Sequence, residues 1–259
     1  MRVELADVGV AYNESAVFQG VSLRVAPGET LAVVGPTGSG KTTFLKLCAG
    51  LIPPARGTVL LDGQDPVAQG AEGLSRLRRR IRFVAQEGAL ISNLSVFENL
   101  ALPMRYHSHA PEEVIRREVE GLLAEASVTH LLRLFPAQLS LGEKKIVSLL
   151  RAREGIASLL LIDDPFLGID ELQFETIMGM VRRWRARKAT MVLVTNHPWI
   201  VRDMADRLIA LLPDGVHWTG RAEEIPAGVH PFLDGIRRRL EGTPSADRDP
   251  AGGTGRESG

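Results

Sequence analysis

A short, wholly apolar run, Thr30–Val34, feeds directly into Gly35-Pro-Thr-Gly-Ser-Gly-Lys-Thr-Thr43, and that junction constrains the chain more than any other feature. Five apolar-compatible residues in a row suit a strand buried on both faces. The glycine-rich turn that follows opens a helix whose apolar stripe is Phe44, Leu45, Leu47 and Cys48. Gly35-x-x-x-x-Gly40-Lys41-Thr42 between strand and helix is the P-loop spacing. Glycines let the chain approach phosphates without a Cβ clash, and main-chain N–H groups from Thr37, Gly38, Ser39 and Gly40 to Thr43 point into the turn. The positive end of the helix adds to their attraction. Lys41 supplies a point charge to the outer phosphates, and the Thr42 hydroxyl suits Mg²⁺. A second apolar run, Leu159–Ile162, ends in Asp163-Asp164-Pro165. The first carboxylate sits where a P-loop enzyme holds Mg²⁺ or its water, although a pair of acids at a strand tip also fits a cap on the next helix.

The rest of the chain supports an α/β fold. Short β-rich runs, Val3–Val10 and Val21–Val25, are broken at Asn13-Glu14 and Pro27-Gly28, and Thr58–Leu61, Ile81–Ala85 and Met191–Thr195 read as further strands. Helical periodicity covers about 111–134 and 172–187, and strands alternating with helices imply a mainly parallel sheet. The 31 basic and 31 acidic side chains cancel, so no net field draws in a polyanion, and a nucleic-acid partner is not expected. One cysteine, Cys48, excludes an internal disulfide framework. Charges in Met1-Arg-Val-Glu-Leu-Ala-Asp stand where a signal peptide needs an apolar run, and the longest uncharged aliphatic stretch, Gly155–Ile162, is too short for ~30 Å of hydrocarbon. The expectation is a cytosolic protein that something else holds at any membrane it serves. Residues 242–259, rich in Gly, Pro, Ser, Asp and Arg, are expected to be disordered.

These motifs and the segments between them resemble the ATP-binding subunit of an ABC transporter over roughly residues 3–225. The resemblance implies an ABC-type nucleotide-binding domain with an antiparallel β subdomain and an inserted α-helical subdomain. Domain boundaries would be 1–227 for the ATPase, with helices at about 88–157, and 228–241 for a C-terminal extension. It implies Mg²⁺-ATP as the substrate complex. Tyr12 would stack on adenine, and Gln86 would be the Q-loop glutamine that touches Mg²⁺ or the attacking water. Leu139-Ser140-Leu141-Gly142-Glu143 resembles the signature motif, Asp170 the D-loop aspartate, and His197 the switch histidine near the γ-phosphate. Lys41, Gln86, Asp164 and His197 would be catalytic, with Thr42, Gln86 and Asp163 around the metal. The family's head-to-tail homodimer would lay Ser140 and the Gly142 N–H of one copy on the nucleotide held by the other.

A narrower similarity is to the ATPases of MCE-type (Mla) phospholipid transporters. It rests on 87–103 after Gln86, on Phe166-Leu-Gly168-Ile-Asp170, and on Pro231-Phe-Leu-Asp-Gly235. The partners this implies are a membrane permease, an MCE-domain lipid-binding subunit and a STAS-type subunit, at the cytoplasmic face of the inner membrane. In that branch the extension reaches over the neighbouring ATPase, here with Phe232, Leu233, Ile236 and Leu240 as its apolar face. A helix packed on its own domain is the alternative.

The sequence departs from the ABC pattern at two places. Asp164 replaces the usual glutamate after the first aspartate, one methylene shorter, so low basal turnover stimulated by partners is expected. Leu141 and Glu143 replace Gly and Gln in the signature and read as tolerated, because Ser140 and Gly142 are kept. An ABC ATPase subunit for another substrate, a slow regulatory switch and an ABC ATPase for soluble work are the competing readings; the last usually needs a coiled-coil insertion or a second cassette. The arginines at 76, 78, 79, 80 and 82 read as a solvated face, His107 and His109 as exposed loop residues, and Cys48 as core.

Overall fold

The computed structural model describes residues 1–12, 15–107, 110–153, 158–212 and 217–242. The Asn13-Glu14 turn, His109 and the expected disorder from residue 243 onward lie outside them, as do the side chains of Tyr12 and His107. Two sheets organise the chain. Strands β1 (Val3–Tyr12), β2 (Ser15–Val25) and β4 (Arg56–Leu61) form an antiparallel sheet in the order β2-β1-β4. The second sheet runs β5-β6-β7-β3-β8-β9, from β3 (Thr30–Val34), β5 (Ile81–Val84), β6 (Leu159–Asp163), β7 (Thr190–Val194), β8 (Arg207–Leu211) and β9 (His217–Gly220). Its first five strands are parallel, and β9 pairs antiparallel with β8.

Every residue of β3, β6 and β7 is buried, as their unbroken apolar runs require of strands covered on both faces. Successive side chains point to opposite faces, so each strand feeds two cores. Leu159, Leu161, Val192, Val194, Leu31 and Val33 join the antiparallel sheet and helix α1 (Lys41–Cys48) in one cluster. Leu160, Ile162, Met191 and Leu193 join α3 (Val96–His107), α4 (Glu112–Glu125), α5 (Leu141–Arg153) and α6 (Glu171–Ala186) in another. Ala32 and Val34 meet α7 (Pro198–Met204) and α8 (Pro231–Gly242). The remaining helix, α2 (Ala71–Arg79), precedes β5.

The helical half contains one element that local rules argue against. Pro103 lies inside α3, where it removes a main-chain donor. The helix is secured at its start, where the Ser95 N–H and hydroxyl both bond the Glu98 carboxylate and Ser95 Oγ accepts the Glu98 N–H, a capping box. Asn99, fully buried, bonds Ile91 N and O, Leu94 O and Ser95 O, and so pins the segment after Gln86 to α3. Expected helix 111–134 ends sooner, at Glu125, where Ser127 takes a φ of +57° and a short 3₁₀ turn follows. Cys48 is fully buried, and burial pushes its thiol up to about 12. The arginines of α2 stay exposed; Arg80 pairs with Asp62 at 2.7 Å and Arg78 donates to Gly50 O.

Helix α8 packs on its own chain. Leu233 and Ile236 are fully buried with Leu208 and Val201, and Phe232 and Leu240 pack on the same cluster. The apolar face of the extension is therefore covered from within. Among the described residues no helix is long and apolar enough to cross a membrane.

The antiparallel sheet is keyed to the phosphate-loop helix by Phe18, whose ring meets that of Phe44 edge-on at 6.1 Å, both fully buried. Phe18→Ala should lower stability by about 3–5 kcal/mol, read as a drop in the midpoint of urea unfolding with the helical signal lost in the same transition.

Candidate active site

The carboxyl ends of β3, β6 and β7 converge on a cleft of about 510 Å³ lined by Thr37, Gly38, Gly40, Lys41, Thr42, Thr43, Gln86, Asp163, Asp164 and Asn196, with Val17 and Leu167 at its edges. Ligands of open α/β sheets bind beyond these strand ends. Parallel pairing sets Val33 beside Val194 and Val194 beside Asp163, so the loops after all three strands leave from one level.

The loop after β3 is fixed by close approach. A Cβ on Gly35 would stand 2.4 Å from Leu211 O and 2.5 Å from Ser39 Oγ, and one on Gly40 would stand 2.3 Å from Val17 Cγ1. Gly40 also needs a φ of +89°. Gly35 is clasped at both ends by Asn196: its N–H donates to Oδ1 at 3.1 Å and its carbonyl accepts from Nδ2 at 3.0 Å. Helix α1 has no side-chain cap, since Gly40 is its N-cap, so its first-turn N–H groups face the cleft side of the loop with anion-binding capacity. Lys41 Nζ donates to Gly35 O and Pro36 O, both at 2.8 Å. Burial lowers the Lys41 pKa from its ordinary value, against the pull of Asp164 and Asp163.

At the end of β6, Asp163 is 4% exposed and its Oδ2 accepts the Thr42 hydroxyl at 2.7 Å. Burial raises its pKa despite that bond and despite Lys41. Asp164 has a φ of +40° and its N–H donates to Val194 O at 3.2 Å. Burial raises its pKa as well, with Lys145 and His197 opposing. Asp164 Oδ1 and Ser39 Oγ are buried without a protein hydrogen-bond partner. Neither acid caps the next helix. Asp170 does so, accepting the Gln173 N–H at 2.8 Å while Gln173 Oε1 takes the Asp170 N–H.

Oxygen donors alone, the Thr42 hydroxyl, the Asp163 carboxylate and the Gln86 amide, suit a hard ion such as Mg²⁺ that keeps several waters and takes substrate phosphate oxygens. The orphaned Asp164 oxygen beside them is placed for a polar atom the protein does not supply. No cluster of three His, Cys, Asp or Glu that would sequester an ion exists among the described residues.

The structure brings together the expected phosphate-loop residues with Gln86, Asp163 and Asp164, and sets half-buried His197 close enough to bias Asp164. Ser140, Gly142 and Asp170 do not line the cleft. Ser140 starts α5, accepting the Glu143 N–H at 3.2 Å and donating its own N–H to Glu143 Oε2 at 2.7 Å. Glu143 thus completes a capping box, a structural duty beyond the tolerance expected of it. Tyr12 ends β1, and its side chain is outside the described set.

Four further residues shape the site. Asn196 brackets Gly35. Phe166 is buried with its ring edge-on to His197 at 6.4 Å and 5.1 Å from Phe174, which in turn meets Trp199 at 5.0 Å. Gln173 Nε2 donates to Ser140 Oγ at 3.3 Å. Lys145 is 1% exposed, with Nζ donating to Asp164 O at 3.0 Å and Leu167 O at 2.5 Å. Only Gln173 had a readable signal, the Asp-x-x-Gln spacing of a helix start.

A family model described as ABC transporter matches residues 18–167. The intermembrane phospholipid transport ATP-binding protein MlaF of Haemophilus influenzae is 31% identical over 86% of this chain and 85% of its own length. MlaF of Escherichia coli strain K12 is 31% identical over 90% and 89%. The methionine import ATP-binding protein MetN of Caulobacter vibrioides is 34% identical over 91% of this chain and 71% of its own. Among solved structures, a dimeric bacterial ABC transporter cassette superposes with a TM-score of 0.78 at 28% identity, covering 85% of this chain and 98% of that one. A dimeric ATP-binding cassette bound to ADP and Pi gives 0.76 at the same identity and coverage. With its cleft, its strand order and these relatives in agreement, the chain belongs to the ABC transporter family as an ATP-binding subunit, an Mg²⁺-dependent ATPase.

Proposed function

We propose that this subunit powers a permease that moves phospholipid between membranes, and that it works as a head-to-tail homodimer. The observation that carries the dimer is the split site: Lys41, Asp163 and Asp164 share a cleft that Ser140, Gly142 and Asp170 do not line. A second copy, inverted, would bring its α5 N-terminus to the terminal phosphate. The two solved cassettes with this fold are described as dimeric. The phospholipid reading draws on the two MlaF relatives, matched over most of both chains, and on the Phe166-x-Gly168-x-Asp170 and Pro231–Gly235 segments. It carries with it an MCE-domain subunit, a STAS-type subunit and a site at the cytoplasmic face of the inner membrane, peripheral through the permease.

Within the cleft, Gly35 to Thr43 would wrap the phosphates and Lys41 would leave its two carbonyls for the β- and γ-oxygens. Thr42, Asp163 and Gln86 would hold Mg²⁺, which when bound would supply neutralising charge to the phosphates. Asp164 would orient the attacking water and take its proton, and its raised pKa favours accepting one. His197, backed by Phe166, would hold the γ-phosphate, and Tyr12 would lie on adenine. Ser140 and Gly142 of the second copy would close the site, with Asp170 at the dimer contact.

Three outcomes test this reading. Asp164→Asn with Mg²⁺-ATP should shift to twice the monomer mass in light scattering, and Ser140→Arg added to it should stay monomeric; a strictly monomeric Asp164→Asn protein, even beside its permease, sinks the dimer. In vesicles holding the whole complex, ATP-driven transfer of a fluorescent phospholipid should vanish with Lys41→Ala, whereas ATP-driven uptake of methionine or sulfate in place of lipid would overturn the substrate. Asp164→Glu reaches about 1.5 Å further but is less at ease at positive φ. Its turnover should rise up to about tenfold while its melting temperature falls; wild-type turnover above that of the variant would remove the expected geometric handicap.

A further inference from the structure

We propose that Lys145 is a positioning residue for ATP hydrolysis, an ammonium tether that holds the turn carrying Asp164 in its reactive conformation. This rests on the role proposed above for Asp164. Taking an ammonium out of water is costly, and it persists only with acceptors of good geometry. Lys145, 1% exposed, has two: the carbonyls of Asp164 and Leu167, at 3.0 and 2.5 Å. They stand at the two ends of a single turn, in which Leu167 N–H also reaches Asp164 O at 3.5 Å. Lys145 therefore ties the turn to α5 from beneath.

The turn needs a tether. At Asp164 the φ of +40° lies in the left-handed region, where a non-glycine residue stays only if its surroundings over-determine it. Three contacts do so here: the Asp164 N–H on Val194 O, and the Asp164 carbonyl accepting both Lys145 Nζ at 3.0 Å and, at a longer 3.5 Å, the Leu167 N–H. With Lys145 removed, the Asp164 carbonyl keeps only the 3.5 Å bond from Leu167, so the turn can relax toward an ordinary φ and the carboxylate moves with it. Displacement of a reacting group by ~1 Å can cost on the order of 10²-fold in rate. Lys145 bonds Asp164 and Leu167, whereas Lys41 and Thr42 bond Gly35, Pro36 and Asp163, so nucleotide affinity should be spared. The positive charge also lies toward Asp163 and Asp164 and opposes the effect of their burial.

The test uses the full chain in steady-state Mg²⁺-ATP turnover and in titration with a fluorescent ADP analogue. Lys145→Met keeps the length and removes the donors; kcat should fall at least about tenfold with ADP-analogue affinity within about twofold of wild type. Lys145→Gln, which keeps two amide protons, should recover part of the loss. Undiminished kcat in Lys145→Met, or a fall of affinity in step with kcat, overturns the tether. If the methionine variant does not fold, Lys145→Gln alone decides by the same split: reduced kcat at wild-type affinity supports it, full kcat or joint loss overturns it. Asp164→Asn run alongside separates the two claims. Normal turnover there defeats the reading of Asp164, whereas an inactive Asp164→Asn beside a fully active Lys145→Met defeats only the tether.

Discussion

Three parallel strands buried at every residue set the terms for the rest of the molecule. Because β3, β6 and β7 have no solvent face, their pairing can slip by a residue only by exchanging whole sets of side chains between two different cores. That locks Val33, Val194 and Asp163 in register, and with them the take-off points of three loops. The phosphate loop, the acidic pair and Asn196 are brought into one cleft by this register, with His197 next to Asn196 in the chain. Neither the helical half nor the antiparallel sheet contributes to that alignment. They cover the strands and supply Val17 and, against the acidic turn, Lys145, while Gln86 comes from the loop after β5 of the same parallel sheet.

The chemistry at the strand ends follows from controlled burial. Asp163 loses water yet keeps the Thr42 hydroxyl; Lys41 loses water yet keeps two carbonyls. Each charged group thus holds a partner that a phosphate oxygen or a cation could replace, which makes ligand binding an exchange of hydrogen bonds in a low-dielectric setting. Asp164 differs. One of its oxygens is buried without a protein partner, its backbone is held in an unfavourable region, and its burial opposes its charge. Such accumulated strain is typical of a position shaped by function rather than by stability.

The parts of the site that could be read from the chain were those whose spacing is short and whose geometry is local. Gly35 to Thr43 declares itself because strand, turn and helix are contiguous, and Asp163 because it ends a solid apolar run. Asn196, Phe166 and Lys145 act on residues far away in sequence, so no periodicity marks them. Lys145 in particular reads as one more polar residue near the start of α5, and only the packing of α5 against the β6 turn buries it. In the fold, α3 falls within the helices that the resemblance implied at about 88–157, although Pro103 argues locally against a helix there and only Ser95 and Glu98 mark its start. Glu143 read as a neutral departure from a motif, although the Ser140-x-x-Glu143 spacing is itself the signature of a helix start.

Gln173 links two helix starts that the chain separates by more than two dozen residues. Its main chain and amide close the cap on Asp170 at the head of α6, and the same amide bonds Ser140 at the head of α5. That amide also fills the space a methyl on residue 142 would need, with Oε1 only 1.7 Å from it. A side chain at 142 would push that amide aside, so glycine there lets the Asp170 cap and the Ser140 contact stand together. One side chain therefore belongs to both helix heads, and its loss would strip a contact from each.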